Sequence, residues 1–130
     1  MRVEEGLIEC QGVVKAVDDS KLPNVLIVSV DCGDATLRFD AFKDLLTVKE
    51  GESVQALVCR ERPDFKEGED LVLWGYVMSK KKVPHQGRWV NKLLISLWGY
   101  LLVVESEKDI LSPFSVMDKV YFKLSTPSQS

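Results

Sequence analysis

The chain has 130 residues, of which 45% are hydrophobic and 28% are charged, and its formal net charge is −3. These values are typical of a globular protein with a single domain, residues 1–130, and exclude a disordered or fibrous chain. The negative charge disfavours binding to a phosphate backbone unless a local basic patch makes the contact. No apolar run reaches the roughly 18 residues that span a bilayer, and the first residues lack a signal-peptide pattern. We therefore expect a cytoplasmic protein with no membrane association.

Apolar and polar residues alternate over short runs, which predicts half-buried antiparallel strands. In the first half of the chain these strands cover residues 7–17, 25–32, 35–40 and 54–60. Gly12 indicates a bend or bulge in the long first strand. Gly33-Asp34 predicts a two-residue hairpin turn between the second and third strands.

Residues 40–46 break this alternation. Ala41, Phe42 and Leu45 stand there at helical spacing. Asp40 precedes them and can cap a first helical turn. One short helix or helical turn is therefore expected.

The second half of the chain predicts four more strands, at residues 71–79, 89–97, 100–105 and 119–124. Residues 80–88 are expected to form a basic loop, Gly99 a bend or turn, and residues 125–130 a frayed tail. About eight short strands, one short helix and no internal repeat predict an all-β fold, with a closed or nearly closed antiparallel barrel.

Catalytic chemistry has few candidates in this chain. Cys10, Cys32 and Cys59 are odd in number, far apart and each in an apolar stretch, which favours reduced, buried thiols over a disulfide framework or a metal cluster. His85 is the only histidine, so a catalytic dyad or a zinc site built on it is not expected. We predict no catalytic residues, no metal and no cofactor, and hence no enzyme.

A basic stretch is the first of two features left unexplained. Lys80, Lys81 and Lys82 are followed by Arg88, Trp89 and Lys92. Cations beside an aromatic ring can grip phosphates and stack a base, as in proteins that bind single-stranded nucleic acid. The structural alternative is a solvated hairpin tip.

The second feature is a pair of strands that are apolar on both faces. In one of them Trp74, Tyr76 and Met78 share a face, while Leu71, Leu73 and Val77 share the other. A single interior can bury only one face, so the other requires a loop, a partner chain or stacked bases. The loop at residues 64–70 and the carboxyl-terminal segment are the structural alternatives.

The second strand of the pair, around residues 97–104, is also apolar on both faces, so its inward face has to be assigned. We assign Leu97, Leu101 and Val103 to the core and Trp98 and Tyr100 to the outer face. Tyrosine and tryptophan are favoured at protein interfaces because each combines a large apolar body with a polar tip. In an acidic chain, a protein partner is a better expectation than bases.

These residues resemble a known family, the small eighth subunit of archaeal and eukaryotic DNA-dependent RNA polymerases, which in archaea is called the G subunit. The resemblance lies in residues 96–102 (Ser-Leu-Trp-Gly-Tyr-Leu-Leu), in the closing strand at residues 117–122, in residues 62–65 (Arg-Pro-Asp-Phe) and in residues 74–77 (Trp-Gly-Tyr-Val). Eukaryotic members usually have a second glycine where Tyr100 stands and carry a longer loop, so the archaeal branch is the closer fit.

The resemblance implies an OB-like antiparallel barrel without catalysis of its own, seated on the largest polymerase subunit, with neighbouring polymerase subunits as further candidate partners. The expected interface residues are Trp74, Tyr76, Trp98 and Tyr100, with Arg62 and Phe65 at the rim. Nucleic acid would be contacted at most indirectly, within the assembly. The alternative function is a free OB-fold protein that binds single-stranded nucleic acid through residues 80–92, using Lys80, Lys81, Lys82, Arg88 and Trp89.

Overall fold

The computed structural model describes residues 1–45 and 48–126, and this part of the chain is all-β. Its nine strands are β1 (Arg2–Glu4), β2 (Leu7–Asp19), β3 (Val25–Asp31), β4 (Ala35–Phe42), β5 (Ser53–Cys59), β6 (Leu71–His85), β7 (Arg88–Leu97), β8 (Tyr100–Ser106) and β9 (Lys119–Ser125). The described residues include no apolar helix of a length that could cross a membrane.

The strands form one antiparallel sheet in the order β1-β2-β3-β4-β8-β7-β6-β9-β5. A further pairing joins β5 back to β2, with Leu7 opposite Cys59 and Val13 opposite Ser53. Eight strands therefore close into a ring, and β1 pairs with the first residues of β2. The Gly33-Asp34 hairpin is confirmed, since Cys32 N donates to Ala35 O at 2.9 Å and Gly33 has φ +82°.

Two glycines allow the long strands β2 and β6 to change neighbours. A Cβ on Gly12 would lie 2.4 Å from Asp31 O, where β2 passes from β5 to β3. A Cβ on Gly75 would lie 1.8 Å from Ser96 O, just before β6 begins to pair with β7. Only glycine permits such close backbone approach. The predicted irregularity of the first strand is confirmed, with a register shift just after Gly12, between Val14 and Ala16.

Inward-facing side chains of the ring and buried side chains of the segment between β8 and β9 form the hydrophobic core. Its largest fully buried members are Phe39, Phe114, Phe122, Ile8, Leu37, Leu93, Ile95, Leu97, Leu102 and Ile110. The rings of Phe39 and Phe122 meet edge to face with centroids 5.0 Å apart. Full burial of one such side chain stabilises the fold by about 1.5–3 kcal/mol.

The predicted short helix is wrong over the described residues. Asp40, Ala41 and Phe42 continue β4, where Ala41 pairs with Leu26, and residues 43–45 form a turn. Leu46, the last residue of the predicted helix, lies outside the described residues. Pairing with β3 buries Ala41 and outweighs the weak local helical spacing.

The predicted basic loop is also wrong, because β6 continues through His85 and pairs with β7 as far as Arg88. Gln86 and Gly87 alone form the turn, with φ +51° and +78°, as in a type I′ hairpin. Of the predicted frayed tail, Ser125 belongs to β9, and residues 127–130 lie outside the described residues.

Two of the three cysteines differ from the prediction. Cys10 and Cys32 form a disulfide, with their Cα atoms 5.8 Å apart, a separation typical of such bonds. Cys59 is a buried free thiol, as predicted. The ring brings Cys10 of β2 beside the residue that follows β3, a proximity that the 22-residue separation did not reveal.

The assignment to the core is right for Leu97, the last residue of β7, and wrong for Leu101 in β8, whereas Val103 in β8 is buried as expected. Trp98 and Gly99 form a two-residue turn, so Leu97 pairs with Tyr100 and Ile95 with Leu102. Leu102 and Val104 therefore enter the core, whereas Leu101 is 43% exposed on the outer side. Val103 shares the face of Leu101 and is nevertheless nearly covered, at 8% exposure.

Candidate protein-docking surface

The outer face of β6 carries three large side chains in a row. Trp74, Tyr76 and Met78 point outward, while Val77 between them is fully buried. Tyr76 is 41% and Met78 52% exposed, so no described segment, including the loop at residues 64–70, covers these two side chains, and Trp74 is half-buried. The predicted alternation of β6 is confirmed by burial from Gly75 to Met78, whereas Leu71 to Trp74 are all half-buried.

Trp98 is the most exposed tryptophan of the described residues, at 69%. It occupies the first turn position between β7 and β8 with φ +57°, and Gly99 follows with φ +90°. This left-handed conformation suits Asn, Asp or Gly, and costs a bulky residue roughly 1–2 kcal/mol. The indole meets Trp74 edge to face with ring centroids 4.6 Å apart. A strained, exposed tryptophan is not accounted for by folding stability alone.

Strand β9 adds a cation and another ring beside these residues. Tyr121 lies directly opposite Trp74, and Lys119 directly opposite Tyr76. The Lys119 ammonium stands 4.4 Å from the ring centre of Trp74 and 5.5 Å from that of Tyr121. Both distances are within the range of cation–π attraction.

Met117 borders the same face and was missed by sequence reasoning. It is 65% exposed with φ +75°, and its N–H donates to Val77 O at 2.7 Å. No sequence pattern signals a left-handed methionine in a connecting segment, so this residue could be found only from the structure. We call Trp74, Tyr76, Met78, Trp98 and Met117 the outer apolar surface.

Tyr100 lies apart from the other predicted anchors. It packs partly buried against the core, and its ring meets Phe42 edge to face at 4.9 Å. Because the turn at Trp98 and Gly99 reverses the chain, Tyr100 shares the inward face with Leu97. The expected common outer face of Trp98 and Tyr100 is therefore not observed.

Arg62 and Phe65 form a separate pair. The Arg62 guanidinium stands 5.6 Å from the Phe65 ring centre, and Phe65 lines an open groove that also contains Gln11 and Gln55. This groove lies over β2, β5 and the end of β9, whereas Trp74 stands on β6 opposite Tyr121, nearer the start of β9. Their role at the rim of an interface stays a prediction.

Three basic residues of the β6–β7 hairpin have partners in β8 or in the segment after it. Lys80 Nζ donates to Phe114 O at 2.7 Å, and Arg88 contacts Glu107 at 3.2 Å. Lys92 stands directly opposite Glu105. Their charges are thus partly compensated within the chain.

The remaining members of the basic stretch do not share one face. Lys81 pairs across the hairpin with Lys92, whereas Lys82 pairs with Asn91 on the opposite face. Trp89 is 67% exposed near the turn, opposite Pro84. A contact of these residues with nucleic acid stays a prediction, but they do not form one continuous patch.

Titratable groups with shifted pKa values lie outside the outer apolar surface. A hydrogen bond from Lys108 lowers the pKa of Asp34, and burial raises the pKa of the Cys59 thiol. The Ser112 hydroxyl lowers the pKa of Asp109 by hydrogen bonding. Each shift has a structural cause in the folded chain. In the described residues, no three His, Cys, Asp or Glu side chains are grouped as metal ligands.

The fold and its surface together define a class of protein. A ring of strands that exposes a contiguous set of large apolar side chains is typical of a protein that binds another macromolecule. The chain belongs to the RpbG family, the G subunit of DNA-directed RNA polymerase, whose model matches residues 7–127. The resemblance seen in residues 62–65, 74–77, 96–102 and 117–122 is thereby confirmed.

Two relatives support this assignment. The DNA-directed RNA polymerase subunit Rpo8 of Sulfolobus acidocaldarius is 27% identical over 112 residues, which cover 84% of this chain and 89% of the relative. The subunit of the same name from Saccharolobus shibatae is 24% identical over 127 residues, 93% of each chain. Among solved structures, the cytoplasmic molybdate-binding protein ModG covers 98% of this chain and is itself covered completely, at 13% identity and a TM-score of 0.35. A score this low carries no argument.

Proposed function

We propose that this chain is a non-catalytic structural subunit of a DNA-directed RNA polymerase, and that it docks on the largest subunit through the outer apolar surface. Membership of the RpbG family supports the polymerase assignment. In this proposal nucleotide addition takes place on other chains, and the present chain contributes no catalytic group. Its closed ring of eight strands supports an OB-like barrel as the scaffold.

The conformation and exposure of Trp98 are the main evidence for the docking site. Its backbone is strained, its side chain is mostly exposed, and it contacts a second outward tryptophan, Trp74. A few aromatic anchors commonly carry most of the binding energy of a protein interface that buries about 1,600 Å² in total. Covering Trp98 and Trp74 would provide such anchors.

The test is co-purification and affinity measurement of the Trp98→Asn variant with the largest subunit. Asparagine suits the left-handed turn position, so the variant keeps the turn while it removes the anchor. We expect its Kd for the largest subunit to rise by at least about tenfold. The matched control is Gln86→Asn, which changes the corresponding position of the β6–β7 turn, where Gln86 also has positive φ. Unchanged binding by Trp98→Asn would overturn the docking site.

The alternative, a free protein that binds single-stranded nucleic acid, retains one supporting observation, the exposed Trp89 on the hairpin that also carries Lys81 and Lys82. A gel-shift titration of the isolated chain with a single-stranded oligonucleotide at low and moderate salt separates the two functions. Tight binding that weakens steeply with salt would favour the alternative. We expect no such binding.

A further inference from the structure

We propose that the partner segment covering the outer apolar surface presents a carboxylate to Lys119, so that the segment is apolar with an Asp or Glu side chain at its centre. This inference rests on the proposed function, because it specifies the chemistry of the partner at the same surface. The segment is assigned to the largest polymerase subunit.

The position of Lys119 carries the first step. It lies opposite Tyr76 on the outer face, and its ammonium stands over Trp74 and beside Tyr121. The rings restrict where the ammonium can go, since cation–π attraction acts over this distance. A partner that covers Trp74 must therefore also cover Lys119.

The charge environment carries the second step. Within residues 1–45 and 48–126, no carboxylate lies within 4 Å of the Lys119 ammonium. The adjacent carboxylate, Asp118, is bound to Arg60 at 3.1 Å. By contrast Lys123, on the same strand, contacts Asp70 at 3.8 Å and donates to Asp64 O at 2.6 Å. Lys119 is thus the cation of this face of β9 that remains available to a partner.

The third argument is the free-energy cost of removing water from the Lys119 ammonium. An apolar partner surface would remove water from the ammonium, and a buried charge without an ionic or hydrogen-bonding partner is strongly unfavourable. The faces of Trp74 and Tyr121 replace only part of that hydration. A carboxylate in the partner segment resolves the conflict and fixes the register of docking.

The test measures the Kd of the full-length chain for the largest subunit with three variants, Lys119→Gln, Lys119→Glu and Lys119→Arg. We expect the Kd to rise by about tenfold or more for Gln and further for Glu, because each leaves the partner carboxylate unpaired. Lys119→Arg keeps the charge and the attraction to the rings, so its Kd should stay within about threefold of the unmodified chain. Circular dichroism of each variant checks that the fold is retained.

The matched control is Lys15→Glu, which makes the same change of net charge at an exposed position on β2. An equal rise in Kd for Lys15→Glu and Lys119→Glu would mean general electrostatic steering and would overturn the proposal. Binding by Lys119→Gln at full affinity, or equal loss with Arg and Gln, would also overturn it. If Trp98→Asn still weakens binding in those cases, the proposed docking surface stands without the carboxylate. If neither Trp98→Asn nor Lys119→Gln has an effect, both proposals fail.

Discussion

The indole rings of Trp74 and Trp98 meet edge to face, with centroids 4.6 Å apart and planes inclined at 85°. One ring projects from β6 and the other from the turn between β7 and β8. An edge-to-face pair of this kind contributes about 0.5–1.5 kcal/mol beyond its area burial. The contact therefore offsets part of the strain of about 1–2 kcal/mol at the Trp98 backbone and holds the exposed ring in a defined position.

This balance predicts the stability of two variants at the turn. Trp98→Asn loses the ring contact but relieves the left-handed strain, so its free energy of unfolding should stay within about 1 kcal/mol of the unmodified chain. Trp98→Ala loses the contact and keeps the strain, so it should be less stable than Trp98→Asn by about 1 kcal/mol. Urea unfolding of both variants measures the difference. Equal stability of the two would show that the turn is not strained.

Gly75 is expected to be the least replaceable glycine of the chain. In Gly75→Ala the new Cβ would meet Ser96 O at 1.8 Å and the Cα of Leu97 at 2.9 Å, both backbone atoms. Relieving this overlap requires β6 and β7 to move apart, and we expect a loss of about 3 kcal/mol or more in unfolding free energy.

The control is Gly51→Ala, which has no atom within 4 Å of the new Cβ but keeps φ +90°. Only backbone strain opposes this change, so the expected loss is about 1–2 kcal/mol. Thermal and urea unfolding of both variants measure the contrast. A Gly75→Ala variant as stable as Gly51→Ala would contradict the close approach of the two strands.

The Cys10–Cys32 disulfide predicts how many thiols can be alkylated. In denaturant without reductant only Cys59 should react, and after reduction all three cysteines should react, as counted by mass spectrometry. Because the bond joins residues 22 positions apart, reduction should lower the unfolding free energy by about 3 kcal/mol. Alkylation of three thiols before reduction would show that the bond is not formed in solution.

Asp34 predicts a pH-dependent contribution to stability. Its carboxylate contacts Lys108 at 2.7 Å and the amino group of Met1 at 3.3 Å, and the Lys108 hydrogen bond lowers its pKa below the ordinary value of 3.8. A lowered folded-state pKa means that the contribution is fully present above about pH 4 and is lost as the pH falls through the folded-state pKa.

The variant that tests this contribution is Asp34→Asn. It should be less stable than the unmodified chain by about 1 kcal/mol at pH 7, and the difference should shrink as the pH falls through the folded-state pKa. Urea unfolding at several pH values measures it. A difference that stays constant over the whole acidic range would assign the effect to the Gly33-Asp34 turn rather than to the ion pairs.

Much of the strand content was predictable because the period of two is a local property of the sequence. The alternation from Ala35 to Phe39, the Gly33-Asp34 turn and the outward row of Trp74 and Tyr76 all follow from the sequence alone. The short helix was mispredicted because residues 40–42 fit either pattern, and pairing with β3 decided between them.

The candidate site was predicted in part. Trp98 was correctly assigned to the outer side. Tyr100 was predicted to face outward and Leu101 inward, and the structure shows the reverse, because a two-residue turn at Trp98 and Gly99 shifts which residues of β8 face inward. The exposed position of Met117 depends on contacts between segments distant in the chain. The same holds for the lack of a carboxylate within 4 Å of the Lys119 ammonium among the described residues. The basic stretch resembled a binding loop because its acidic partners, Glu105 in β8 and Glu107 just after β8, come later in the chain, beyond the turn at Trp98 and Gly99.

The sequence by itself thus determined the all-β class, most strand positions, the family and the presence of large aromatic residues in excess of one core. Only the tertiary structure decided which of those residues remain outside. The pairing of each strand with its neighbours sets the register, and a shift of one residue moves a side chain from the core to the surface. Pairing of β2 with β3 brings Cys10 and Cys32 together, and pairing of β6 with β7 and β9 brings Trp98, Trp74 and Lys119 together on one face.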